Sequence, residues 1–329
     1  METERIVVAR NVILDRDTNI FSVRWSPEDS LIAVAGSDGY IKIYTADSGS
    51  FVRALNCHIS ANNMPVTSVR WRPSNPHTKT KNILLGITTD GGIMHWHATS
   101  GKLMHSERLR DNHIYSLDYS PGGSQFCVGC RDNSIKIFDD HTKQLASELS
   151  TGRNELLGHV NRIHSVKFVS EDMVISGGWD RNVLVWDTRA NRVSHSFYGP
   201  NVMGDSLDYS KGNILAGSHD IRDQLQIWSV ADQSHVLSED LNSESRSCMV
   251  FTAQHSKADQ GEIFAVGGGG SCETYFYETK SLKQFSVLTN LEKSVYSLDF
   301  ANESNKVALG CGDGTLRTYE VVQNSQETY

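Results

Sequence analysis

A short strand-like pattern occurs seven times along this chain, and that recurrence limits what the chain can fold into. Its copies are Phe21-Ser22-Val23-Arg24-Trp25, Thr67-Ser68-Val69-Arg70-Trp71, Tyr115-Ser116-Leu117-Asp118-Tyr119, His164-Ser165-Val166-Lys167-Phe168, Asp205-Ser206-Leu207-Asp208-Tyr209, Ser247-Cys248-Met249-Val250-Phe251 and Tyr296-Ser297-Leu298-Asp299-Phe300. In each, a small residue, an aliphatic residue and an aromatic residue hold the same offsets, and the alternation is that of a half-buried β-strand. The copies are spaced by about 40 to 50 residues. A unit of that size cannot bury its own apolar face, so its neighbours must stack on it in a fixed way.

A second register, built on different residues, agrees with the first. Asp38, Asp90, Asp132, Asp180 and Asp313 each stand six residues before Tyr44, Trp96, Phe138, Trp186 and Tyr319. An Asp in turn chemistry followed by a strand with an aromatic near its end reads as a hairpin. Copies five and six lack an Asp at that offset from Trp228 and Phe276, so unusual turns are expected there.

The fullest copy runs from Gly158 to Arg192 and on to Tyr198. It opens on Gly158-His159 and alternates through Ile163 to Phe168. It continues with a β-prone run from Met173 to Gly177, turns at Gly178 to Asn182, and ends its third strand on Trp186-Asp187 before a fourth alternating run. Four short strands between a Gly-His start and a Trp-Asp end resemble a WD40 repeat, one blade of a β-propeller. The resemblance implies an all-β, seven-bladed propeller with blades starting near residues 20, 66, 114, 163, 204, 246 and 295. It implies a structural hydrogen-bonded tetrad of His159, Ser176, Asp180 and Trp186. It also implies that the N-terminal strand, residues 4–14, completes the last blade and hides open sheet edges. One propeller is expected to cover residues 1–329, with surface loops at Pro73 to Lys81 and His255 to Gly261 and a frayed tail from Gln323 to Tyr329.

Composition bounds the rest. The chain has 329 residues, 38% hydrophobic and 21% charged, which is ordinary for a globular protein. A formal net charge of -8 argues against a nucleic-acid backbone as the main partner. The start, METERIVVAR, lacks the form of a secretory signal, and no run of about eighteen apolar residues occurs. An intracellular, cytoplasmic protein is expected, with a nuclear, cytoskeletal or ciliary assembly as possible settings, and no membrane partner. Six scattered cysteines suit reduced thiols. The pair Cys127 and Cys130 falls where a second strand should run, so it reads as structural.

Catalytic and metal-binding patterns are weak. His95 and His97 share one strand face, but no third ligand is evident. Gly267 to Gly270 reads as a turn, because a strand follows it where a phosphate cradle needs a helix. No nucleophile elbow, His-Glu-x-x-His or Walker sequence is present. No catalytic residue, cofactor or metal is assigned.

What remains is surface. The resemblance implies that residues just before the turn Asp, and those at the start of the first strands, open on one face around the channel mouth. The pre-Asp residues are Ser37, Thr89, Arg131, Trp179 and Gly312; the strand starts include Phe21, Tyr115, Arg162, His164, Arg246 and Tyr296. An indole in a tight Gly-Gly-Trp-Asp turn has no easy path to a core, and Trp, Tyr and Arg dominate binding hot spots. A partner-binding patch of Trp179, Arg131, Arg162, Tyr115, Tyr296 and Phe21 is therefore expected, with Met203 as an apolar anchor on the irregular loop Tyr198 to Asp205. Before the strand aromatics stand Arg24, Arg70, Asp118, Lys167, Asp208, Val250 and Asp299, a set that faces the channel with offsetting charges. The expected function is a non-enzymatic scaffold or adaptor for other proteins in a larger complex, the propeller itself monomeric. A reader of peptide motifs at the channel mouth is the alternative, and a propeller enzyme a more remote one.

Overall fold

The structure, a computed structural model, describes residues 4–14, 18–58, 64–74, 81–151, 157–243 and 246–324. Among these residues the chain is all strand and turn and forms the seven antiparallel sheets of a seven-bladed β-propeller. No helix long and apolar enough to cross a membrane occurs among them. The inner strands are Ile20–Trp25, Val66–Trp71, Ile114–Tyr119, Ile163–Ser170, Leu207–Ser210, Arg246–His255 and Val295–Phe300.

Each position of the recurrent pattern has its own task. In three blades the small residue carries a hydroxyl that caps the next blade: Ser297 accepts from the Val23 amide at 3.0 Å, Ser22 from Val69 at 3.2 Å, and Thr252 from Leu298 at 3.1 Å. The aliphatic residue is fully buried, as at Val23, Val69, Leu117 and Val166. Such a side chain contributes about 1.5–3 kcal/mol through burial. The aromatic packs between blades, where Trp25 Nε1 donates to the Asp299 carbonyl and Trp71 Nε1 to that of Arg24. Apolar clusters therefore sit between sheets as much as within them, as where Ile41, Ile43 and Leu55 meet Val66, Val69 and Trp71.

The charged position lines the channel, and its members pair with one another and with Asp205 and Lys257. Arg70 bridges Asp118 at 3.1 Å and Asp205 at 2.9 Å, Arg24 also meets Asp205, Lys167 reaches Asp208 at 2.9 Å and Lys257 reaches Asp299 at 2.8 Å. The acids also accept backbone amides of the following blade: Asp299 from Trp25, Asp118 from Phe168 and Asp208 from His255. Burial, with the neighbouring charge of Arg70, pulls the Arg24 guanidinium down to about 9. Burial acts against the Asp208 carboxylate, yet Lys167 and His255 hold it far below the usual carboxylate range.

Blade seven closes the ring. Its order is Glu4–Leu14, Thr315–Asn324, Lys306–Cys311, Val295–Phe300, with Glu4 opposite Asn324 and Leu14 opposite Thr315. The expected tail shortens accordingly, since Gln323 and Asn324 belong to this ladder; residues 325–329 lie outside the described ones. So do residues 75–80 of the expected loop in blade two.

Blade six overturns several sequence expectations. His255 pairs with Phe264, which pairs with Tyr277, the same chain of partners as Phe168, Val174 and Trp186 in blade four. The sixth copy is therefore Phe251-Thr252-Ala253-Gln254-His255, four residues later than Ser247 to Phe251, with a histidine in the aromatic slot. Hence Val250 is core and Gln254 faces the channel, and the third-strand aromatic is Tyr277, not Phe276. The glycine run is no turn but the end of the second strand Ile263–Gly270. Gly268 and Gly270 lie so close to the Met249 and Ser247 carbonyls that a Cβ would not fit. His255 and Ser256 are buried, so the exposed excursion starts at Lys257.

In blade five the turn is longer. Ala216 and Gly217 take the places of Ser176 and Gly177, yet Leu225 follows Gly217 by eight residues where Val183 follows Gly177 by six. The turn Asp is present as Asp220, which accepts from Ser218 Oγ at 3.2 Å, but the two extra residues move it out of the expected offset from Trp228.

Candidate partner-binding rim

The propeller rim that carries the turn acids is lined by rings, and a backbone irregularity places them there. The first strands of blades one, three, four, six and seven each shift register by one residue, between Ile20 and Ser22, Ile114 and Ser116, Ile163 and Ser165, Val250 and Thr252, and Val295 and Ser297. A bulge re-aims its extra residue out of the ladder. Those residues are Phe21, Tyr115, His164, Phe251 and Tyr296, all half-buried. Thr67 and Asp205 hold the same register in blades two and five.

Two arcs result. In one, His113 stacks on Tyr115 at 6.4 Å, Tyr115 on His164 at 4.7 Å, and His164 on Trp179 at 5.0 Å, while the Arg162 guanidinium lies 5.1 Å from the indole centroid. In the other, Phe21 meets Tyr296 at 5.8 Å, Tyr296 meets Phe251 at 5.0 Å, and Phe251 meets His219 at 4.6 Å. Burial, then the charge of Arg162, pushes the His164 imidazole down to about 4; burial also lowers His219. At neutral pH these histidines act as flat neutral rings.

Trp179 is 40% exposed at the edge of the first arc. Its turn is fixed by Gly178, where a Cβ would run into the Arg162 carbonyl, and by the Trp179 amide, which donates to that carbonyl at 3.3 Å. Three more apolar side chains stand exposed on neighbouring loops: Val160 at 74%, Tyr198 at 70% and Ile221 at 70%. Arg181 ties these loops together through Asp220 at 3.0 Å and the Gly199 carbonyl at 3.4 Å.

Of the residues expected in the patch, Trp179, Arg162 and Tyr115 meet in the first arc, and Phe21 and Tyr296 in the second; no ring contact joins the arcs among the described residues. Arg131 is exposed on the adjoining turn of blade three, its amide donating to the His113 carbonyl at 2.9 Å. Met203 is half-buried at the blade-five position that Arg162 holds in blade four. Arg246 takes no part in the rings, because Phe251 holds that register. His113 and Phe251 escaped the sequence reading; the first precedes a strand with no other mark, and the second was hidden by the misplaced sixth copy, whereas His219 opens the blade-five turn whose irregularity the sequence shows.

The tetrad geometry lies below this rim. His159 Nδ1 is 2.8 Å from Asp180 Oδ2, His159 Nε2 is 2.7 Å from Ser176 Oγ, and Trp186 Nε1 donates to Ser176 Oγ at 2.8 Å. With the carboxylate accepting, Nδ1 carries the proton, so Nε2 accepts from the Ser176 hydroxyl. Burial raises the Asp180 carboxyl, but His159 and the hydrogen bonds from the Val160 and Asn182 amides together outweigh it, and the net effect is a lowering. The order Ser-His-Asp is that of a hydrolase triad, yet Ser176 is 0% exposed and its oxygen is engaged by the indole, so no substrate reaches it. His95 and His97 turn to separate partners, Asp140 at 3.1 Å and Ser100 at 2.7 Å. Cys127 and Cys130 are buried in the strand Gln125–Cys130, and burial pushes the Cys130 thiol up to about 12.

The sequence profile described as "Anaphase-promoting complex subunit 4 WD40 domain" matches residues 3–74 and 79–171, half of the chain. Similar proteins include Meiotic fizzy-related protein 1 of Schizosaccharomyces pombe, 24% identical over 280 residues that make up 72% of this chain and 64% of the relative. The Guanine nucleotide-binding protein G(I)/G(S)/G(T) subunit beta-1 of Homarus americanus is 24% identical over 139 residues, 42% of this chain and 40% of its own. Protein tipD of Dictyostelium discoideum is 23% identical over 146 residues, 43% of this chain and 22% of its own. The chain thus spans less than two thirds of the length of each of these relatives. Seven antiparallel sheets of four or five strands, the His159, Ser176, Asp180 and Trp186 network of blade four, and a profile match through the first half place the chain in one family: it belongs to the WD40-repeat β-propellers.

Proposed function

We propose that the chain is a non-enzymatic interaction platform, a subunit or adaptor that holds another protein against the rim of blades three to five. The observation that carries this reading is Trp179, a large ring held 40% exposed on a rigid turn and backed by His164 and Arg162. An indole gains most when a partner covers it in a dry, well-packed contact. Val160, Tyr198 and Ile221 extend the apolar area beside it, and exposed apolar clusters on a folded surface mark interaction sites.

The channel supports the same reading. Its paired charges fill the centre of the ring, so recognition falls to the rim. The description of the matching profile, a subunit of a named complex, supports a multiprotein setting. All six cysteines are free and five are buried, which suits a reducing, intracellular compartment.

The test is capture of partners from the protein's own cells by wild type and by Trp179→Ala, with circular dichroism to show that both are folded. A coherent set of proteins lost with the variant supports the rim. Identical sets from both proteins would move the interface elsewhere.

A further inference from the structure

We infer that the segment received by this rim is acidic and apolar: carboxylates opposite Arg131 and Arg162, with an apolar side chain against Trp179. This rests on the rim of blades three to five being the docking surface. What deepens it is the charge left over after the scaffold has paired its own.

Four turn acids of the regular blades already have a cation: Asp38 is met by Lys42 at 2.7 Å, Asp90 by Arg108 at 3.1 Å, Asp132 by Lys136 at 3.5 Å and Asp313 by Arg317 at 3.4 Å, while Asp180 is held in the tetrad by the His159 ring and the Val160 amide. Asp220 in blade five has Arg181. Arg131 and Arg162 have no ion pair among the described residues, although the chain carries a formal net charge of -8 and acids outnumber bases. Of these two unpaired guanidinium groups, that of Arg162 lies against the exposed indole and that of Arg131 is exposed on the adjoining turn of blade three, so both are open to charge supplied by a partner.

Their placement also selects the form of the negative charge. Arg162 lies over the ring of Trp179, which occupies its flat face and leaves its N–H edge for an acceptor. Arg131 stands on the neighbouring blade. The two turns are joined through Asn133, whose amide nitrogen, turned toward them, reaches the carbonyls of Asn161 at 3.1 Å and Arg131 at 3.2 Å. Asn161 in turn accepts from the Arg162 amide at 2.8 Å. The guanidinium groups therefore sit on adjoining turns of different blades, each alone, since Arg181 and Lys136 are engaged elsewhere. A guanidinium fork holds a carboxylate through two parallel N–H···O bonds, and a doubly charged phosphate gains most where several cations converge, which separate turns do not provide. Two separate forks flanking an apolar ring fit two carboxylates on an extended segment with an apolar residue between or beside them.

The experiment is selection of a random peptide display library on the immobilised, full-length chain, repeated on Trp179→Ala and on Arg131→Gln/Arg162→Gln. Expected from wild type are peptides enriched in Asp and Glu around Leu, Phe or Trp. The best of them, made synthetically, should bind the double-Gln variant about tenfold or more weakly, the loss of a charge-assisted pair, and lose affinity as salt rises. Peptides that depend on Trp179 but carry no acidic enrichment, or that bind the double-Gln variant equally well, would overturn the inference and leave the docking surface standing. If no selected peptide depends on Trp179, both the inference and the surface beneath it fail. A synthetic form with phosphoserine in place of its acids that binds about tenfold tighter would overturn the choice of carboxylate.

Discussion

Blades four and five follow each other in the chain and answer the same structural question differently. Blade four places Ser176 where its hydroxyl joins His159 to the Trp186 indole, and a tight turn puts Asp180 on the other side of the imidazole. Blade five has Ala216 in the place of Ser176, and the Trp228 indole N–H finds no partner among the described residues, although its ring packs on His235 at 4.5 Å and Phe197 at 5.5 Å. Blade five enters through Gly199-Pro200-Asn201 in place of a Gly-His, and its turn is longer. A polar network fixes the geometry of a blade edge; ring packing alone retains the burial and leaves the edge free to diverge. The exposed Ile221 lies on that divergent turn, and the exposed Tyr198 ends the blade-four strand that leads into the divergent loop. A variable loop seated against a rigid turn is a reasonable way to build a specific surface on a repeat.

The comparison breaks first at Ser176. Ser176→Ala orphans a buried imidazole nitrogen and a buried indole N–H at once, and should lower unfolding free energy by about 3 kcal/mol, read from the denaturant midpoint. A loss below about 1 kcal/mol would mean that blade four is held no more firmly than blade five. Acid sharpens the same point. The Asp180 carboxyl is lowered in the fold, so its stabilisation is complete above the ordinary carboxylate range and drains away as pH falls through and below it. Wild type should therefore lose more stability between about pH 5 and 3 than Asp180→Asn does, measured by urea unfolding at each pH. In the opposite sense, Ala216→Ser offers the Trp228 indole the acceptor it lacks and should gain about 0.5–1 kcal/mol in the same assay. Smallest is the effect of Trp179→Ala on stability, about 0.5 kcal/mol or less, because a half-exposed ring on a turn adds little to the core. A midpoint that drops as far as that of Ser176→Ala would make Trp179 a packing residue and end its claim as an anchor.

Thiol chemistry tests the depth of the packing. Burial pushes Cys57 and Cys248 up to about 12 and Cys311 up to about 11, while Cys272 is only half-buried. An aromatic disulfide reagent at neutral pH should label Cys272 first in the native protein and the others only on unfolding.

The sequence carried the blades because hydrophobic, small and aromatic side chains recur at offsets set by the strand period, and the tetrad residues because each stands at a fixed place in that repeat. It misled in blade six because Cys248-Met249-Val250-Phe251 imitates the pattern four residues early, while the true aromatic slot holds His255. No count of apolar residues separates a decoy from the copy; the Thr252 hydroxyl bonded to the Leu298 amide does. Likewise Asp220 was hidden by a lengthened turn. The resemblance to WD40 repeats implied one face for Trp179, Arg162 and Tyr115, but the stacking that links them through His164 depends on strand bulges, which leave no mark in composition.

The ladder between residues 4–14 and 315–324 gives the fold a temporal order. During synthesis the strand at residues 4–14 has no partner until residues 315–324 have been made, and until then the arc of completed blades keeps a raw edge on either side of the gap. Only when these two strands pair does the ring become a ring. Synthesis therefore passes through a long interval in which an unpaired sheet edge is on offer to any passing strand.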